Sequence, residues 1–84
     1  MFFAYVLKST IADYYYKGHC ENLQKRIVEH NNGMTKSIKH LIPFKLVYYE
    51  VFDTRDEAYN REKYFKTSAG RRYLKLKTLE MWFK

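Results

Sequence analysis

The chain has 84 residues, too few for a second core, and carries a net charge of +7 from 16 Lys and Arg against 9 Asp and Glu. That surplus favours a polyanionic partner, nucleic acid before others, and no run approaches the ~20 apolar residues that cross a bilayer, so no membrane partner is expected. A single cysteine, Cys20, excludes an intrachain disulfide and fits a reducing, cytoplasmic location. Met1-Phe2-Phe3-Ala4 is apolar, but no basic segment precedes it and Lys8 follows, so it does not read as a signal peptide.

In chain order, Phe2 to Leu7 reads as a buried strand and Tyr14 to His19 as a second, joined by a connection short enough for an antiparallel hairpin. Asn22 is placed to cap a helix running to about Asn31, and Asn32-Gly33 is placed to stop it. Met34 to Pro43 reads as a polar, basic loop. Lys45 to Phe52, rich in β-branched and aromatic residues, is the strongest strand signal. Thr54 with Glu57 forms a capping box for a helix from Arg55 to about Lys66, and Ser68 is placed to cap a third helix from Ala69 towards Leu79. The expected fold is α+β in the order ββαβαα: a small three-stranded, mostly antiparallel sheet with helices packed on it, one domain over residues 1–84.

Several polar side chains sit where such a domain should keep apolar ones. On the first helix Leu23 and Ile27 set the inward stripe; at ~100° per residue His30 falls about 20° from Leu23 and Arg26 about 60° from it. On the second helix Glu62 falls between Ala58 and Phe65. A carboxylate there must be paired, bind a metal or lie at the edge of a cleft. Its structural reading is an ion pair with Arg26 or another base. Tyr5 lies within the apolar run Phe3 to Leu7. Of the triplet Tyr14-Tyr15-Tyr16, the outer two share a strand face and Tyr15 takes the other. Any one tyrosine is explained by packing; the combination is less easily explained.

Ala4-Tyr5-Val6, then Tyr16-Lys17-Gly18, then Leu23, Arg26, Ile27 and His30 at helical spacing, resemble the GIY-YIG nuclease superfamily. Pro43 to Glu50 and the helix segment Glu57-Ala58 to Arg61-Glu62-Lys63 extend the likeness from Phe2 to about Leu76. It is most similar to the small stand-alone bacterial members related to the catalytic domain of the nuclease component of excinuclease ABC. The chain reads Phe3-Ala4-Tyr5 where the family has Gly-Ile-Tyr, and Lys17 where it has isoleucine. The resemblance implies a catalytic set of Tyr5, Tyr16, Arg26, His30 and Glu62, with Glu62 as ligand of Mg²⁺ (or Mn²⁺). Gly18 would let backbone approach the substrate.

Those residue types suit phosphodiester hydrolysis, and the resemblance implies nucleic acid as substrate, DNA before RNA, in repair or processing. A carboxylate-held ion would act as Lewis acid, and the forked Arg26 donors would hold non-bridging oxygens. Tyr5 is expected to have its pKa lowered by Arg26, His30 and the ion, so that it or its partner tyrosine takes a proton from water. Lys17, Lys36 and Lys39 are the expected nucleic-acid contacts alongside Gly18. Targeting would fall to this domain, to a protein partner or to a second copy. The alternative is a non-catalytic nucleic-acid-binding module using Lys36, Lys39, His40 and the cations from Arg71 to Lys77. A third reading makes the polar residues an internal network of an interaction domain.

Overall fold

The computed structural model describes residues 1–82. Three strands, β1 (Phe2–Ser9), β2 (Tyr15–Cys20) and β3 (Phe44–Phe52), form one sheet in the order β2-β1-β3, with both pairings antiparallel. The helices are α1 (Leu23–Asn31), α2 (Arg55–Phe65) and α3 (Ser68–Trp82), giving the expected ββαβαα order.

Central β1 is buried on both faces, with Ala4, Tyr5, Val6 and Leu7 at 1% exposure or less. Strand alternation divides these residues into two cores. Tyr5 and Leu7 pack with Ile38 and Phe44 on one face, joined by Leu23 and Ile27 of α1. Ala4 and Val6 pack with Val47, Phe65 and Leu74 on the other, under α2 and α3.

Local chemistry sets the helix ends. Asn22 accepts from the Lys25 amide at 3.0 Å, and Gly33 follows α1 at φ 79°, a backbone angle glycine adopts without a Cβ penalty. The Thr54–Glu57 capping box is present in both directions. At α3 the Thr67 hydroxyl, not Ser68, accepts from the amide of the third residue, Gly70, at 3.0 Å.

The stretch expected as a loop holds a 3₁₀-helix, Lys36–Leu41. Its polar residues conceal one anchor, Ile38, which is 3% exposed and packs with Tyr5 and Leu7. Asn31 ties α1 to β3 through both its amide groups, accepting from the Phe44 amide and donating to the Phe44 carbonyl. The 3₁₀ segment is thereby held against the α1 face of the sheet.

Candidate active site

Four of the expected site residues converge on the α1 face, around the phenol of Tyr5. Its hydroxyl lies 2.9 Å from His30 Nε2, and His30 Nδ1 lies 2.8 Å from the Thr35 hydroxyl. The Tyr16 ring packs 4.6 Å from the His30 ring, centroid to centroid. Arg26 stands beside the Tyr5 hydroxyl, close enough to favour its ionised form, and also donates to Glu29 at 3.3 Å.

Gly18 pairs with Tyr5 across the β1–β2 ladder, and a Cβ there would meet the Tyr5 hydroxyl oxygen at 2.6 Å. The tyrosine therefore occupies the space that a side chain at position 18 would need.

Burial decides the protonation states. Tyr5 and His30 are both 0% exposed. Desolvation raises the Tyr5 pKa well above the ordinary phenol value and outweighs the opposing pull of Arg26. Arg26 does not by itself acidify Tyr5 as expected, because the pocket that holds the guanidinium beside the phenol also excludes the water a phenolate needs. Desolvation, reinforced by Arg26, likewise lowers the His30 pKa and keeps the imidazole neutral. Arg26 can only donate, so the consistent arrangement has Tyr5 O–H donating to Nε2 and Nδ1–H donating to Thr35. Burial also pushes the Cys20 thiol up to about 11, which keeps it from acting as a thiolate nucleophile.

Arg26 and Glu29 line an open cleft of about 760 Å³ that runs along the start of α1 past Leu23 and Cys20 to Phe3. Tyr5 and His30 do not line the cleft, so the guanidinium is the part of this cluster that faces it.

Glu62 does not join that cluster. It lies on the α2 side of the sheet, where His19 Nδ1 meets Oε1 at 2.7 Å and Lys66 donates to Oε2 at 2.8 Å. Burial raises its carboxyl pKa, but Lys66 and His19 together outweigh burial and leave it below the ordinary value. The ion pair with Arg26 is not formed; Arg26 takes Glu29 instead. The link between the two groups runs around the β2 edge, where Tyr16 lies within electrostatic reach of Lys66.

Among the described residues no three His, Cys, Asp or Glu side chains gather to hold a metal ion. A lone carboxylate, 14% exposed at its side chain, still suits a hard cation that keeps most of its waters. Glu62 fits a hydrated divalent ion on those terms.

Of the expected nucleic-acid contacts, Lys36 and Lys39 are exposed on the 3₁₀-helix. Lys17 points to the α2–α3 face, where with Arg71 and Lys75 it rims a cavity of about 340 Å³ floored by Val6 and Leu74. Burial, then Arg71 and Lys66, lower its pKa. No helix among the described residues is long and apolar enough to cross a membrane.

The family of GIY-YIG catalytic domains matches residues 1–75. The chain belongs to the GIY-YIG family. Similar proteins include a UPF0213 protein of Staphylococcus saprophyticus, 45% identical over 62 residues that cover 73% of this chain and 76% of that one. A UPF0213 protein of Clostridium perfringens is 40% identical over 77 residues, 90% of this chain and 82% of its own. No solved structure gives a significant match. These relatives are small, stand-alone bacterial proteins, as the resemblance implied.

Two residues that contact the expected set, Thr35 at His30 and His19 at Glu62, escaped the sequence reading. Thr35 lies in the stretch expected as a polar loop, and His19 at the end of the expected second strand. Only the alternation that puts His19 with Tyr15 and Lys17, opposite Gly18, pointed it towards α2.

Proposed function

We propose that the chain is a divalent-metal-dependent endonuclease that hydrolyses nucleic-acid phosphodiesters, DNA before RNA, with DNA repair or processing in the cytoplasm as its setting. The observation that carries this is Arg26: a guanidinium lining an open cleft, backed by the buried Tyr5–His30 pair, in a GIY-YIG domain.

Arg26 binds the non-bridging oxygens of the scissile phosphate and stabilises charge as it develops there. Tyr5 and His30 are positioning residues, since both are wholly buried; they hold Arg26 and the Tyr16 ring in place through neutral hydrogen bonds and ring contacts. Tyr16, half-buried at the β2 edge, is the phenol placed to reach substrate and hand on a proton. Glu62 would hold the divalent ion, which supplies Lewis acidity at the phosphate when bound. Lys36 and Lys39 meet flanking phosphates without reading sequence.

The test compares wild type with Glu62→Gln on single-stranded, duplex and branched DNA and on RNA, with and without Mg²⁺ or Mn²⁺. Glutamine keeps the size and removes the charge, so cleavage should fall by orders of magnitude while binding persists or tightens. Equal metal-dependent cleavage by both removes Glu62 from the reaction. A wild type that cuts nothing and binds identically without metal favours the non-catalytic binding module.

A further inference from the structure

The His19–Glu62 pair lies apart from the Tyr5 cluster, and nothing in the reaction as described uses the imidazole. Its geometry is specific. His19 Nδ1 and Glu62 Oε1 are 2.7 Å apart, with the two side chains 28% and 14% exposed. The His19 ring is held edge-on to Tyr59, centroids 5.3 Å apart, so its direction is fixed before any ligand arrives. Lys66 takes the other oxygen, Oε2, at 2.8 Å.

We infer that His19 is a second protein ligand for the divalent ion and biases the site towards transition-metal dications over Mg²⁺; this rests on the reading that Glu62 holds a metal. Neighbouring ligands of an octahedral ion with bonds of about 2.1 Å stand about 3 Å apart. The observed Nδ1···Oε1 separation is a few tenths of an ångström shorter, so an ion enters by taking the place of the shared proton while the two groups part slightly. The displaced proton leaves Nδ1 for solvent, the neutral ring carries its one proton on Nε2, and the ion takes the Nδ1 lone pair. Binding at this edge leaves the Lys66–Oε2 contact intact and makes Glu62 monodentate.

Imidazole nitrogen adds more to the affinity for Co²⁺ than for Mn²⁺, and least for Mg²⁺, which prefers oxygen and water. Arg26 and the Tyr5 cluster are not needed for this binding, so it can be measured without turnover.

The experiment is calorimetric titration of tag-free protein with Co²⁺, Mn²⁺ and Mg²⁺, in wild type, His19→Ala, His19→Asn and the surface control His40→Ala. His19→Ala should weaken Co²⁺ binding about ten-fold or more and Mg²⁺ binding less than about three-fold, with His40→Ala like wild type. The His19 imidazole NMR signals should be the histidine signals most perturbed by Co²⁺. His19→Asn keeps a hydrogen-bond donor for Glu62 but offers no imidazole. If it restores Co²⁺ affinity, His19 only positions Glu62 and the inference fails. Equal losses for Co²⁺ and Mg²⁺, unchanged Co²⁺ affinity, or unperturbed His19 signals also overturn it. A protein that binds Co²⁺ through His19 and cuts no nucleic acid removes the nuclease proposal and leaves this inference standing. One that cuts with Mg²⁺ while Co²⁺ ignores His19 does the reverse.

Discussion

Arg61 and Glu62 are neighbours on α2, yet they reach opposite edges of the sheet, and the two edges spend charge differently. At the β3 edge Arg61 Nε donates to Glu50 at 2.7 Å, and Tyr73 donates to the same carboxylate at 2.7 Å, with Tyr48 as a third donor. The guanidinium lies over the rings of Tyr64, Tyr73 and Phe65, its carbon 4.6, 4.9 and 5.5 Å from their centroids. Glu50 Oε2 accepts from two phenols and Oε1 from Arg61, so packed groups from β3, α2 and α3 hold the carboxylate in place. At the β2 edge Glu62 is met by one imidazole and by a Lys66 whose side chain is 55% exposed. The first carboxylate is used up in joining sheet to helices. The second can exchange a partner for a ligand at little cost to the fold.

The sharpest way to break this comparison is to neutralise each carboxylate in turn. Glu50→Gln leaves Arg61 without its counter-charge among aromatic rings and should cost about 3 kcal/mol by urea unfolding. Glu62→Gln should cost under about 1 kcal/mol, because the exposed Lys66 can turn to water and the glutamine oxygen still accepts from His19. Equal losses would show that the β2 edge is as structural as the β3 edge. A pH series sharpens the contrast. Burial raises the Glu50 carboxyl, and the bonds from Arg61, Tyr48 and Tyr73 together outweigh it and bring it below the ordinary 4.5. A depressed folded-state pKa contributes stability above the unfolded value and loses it as pH falls through the folded one. Wild-type stability should therefore drop below about pH 4.5, and the drop should be shallower in Glu50→Gln.

Gly18 tests the β2 edge from its other side. A Cβ at position 18 would sit 2.6 Å from the Tyr5 hydroxyl oxygen, and that ring is wholly buried and bonded to His30. Relief requires Tyr5 to shift, so Gly18→Ala should cost about 2 kcal/mol and disturb the NMR signals of His30. Signals at His19, on the opposite face, should move less. A neutral substitution would mean that the Tyr5–His30 pair is looser than its burial implies.

What was legible in the sequence follows the same division. The elements could be read because strand alternation, the Asn22 cap and the Thr54–Glu57 box are local signals. The Tyr5, Tyr16, Arg26 and His30 grouping could be read because three of its members follow from helical phase and strand parity once two motif halves are placed. The partner of Glu62 could not. Phase placed Glu62 on the inner stripe between Ala58 and Phe65, but which base met it depended on how far α2 slides along the sheet. The raised Tyr5 pKa was illegible for a similar reason: residue types give the charges, whereas burial depth is a property of the packed whole.

The smallest expected effect bears on α2 itself, which carries both edges. Thr54 accepts from the Glu57 amide at 3.2 Å, and the Glu57 carboxylate accepts from the Thr54 amide at 3.2 Å. Both groups are exposed, so Thr54→Ala should cost about 1 kcal/mol, the value of one lost cap. Because the cap lies about two turns before Arg61 and Glu62, its loss frays the first turn without tilting the rest of the helix. Cleavage per folded molecule should therefore stay at the wild-type level while the urea midpoint falls. If cleavage falls with it, the first turn of α2 sets the reach of Glu62, and the two edges are coupled through the helix rather than independent.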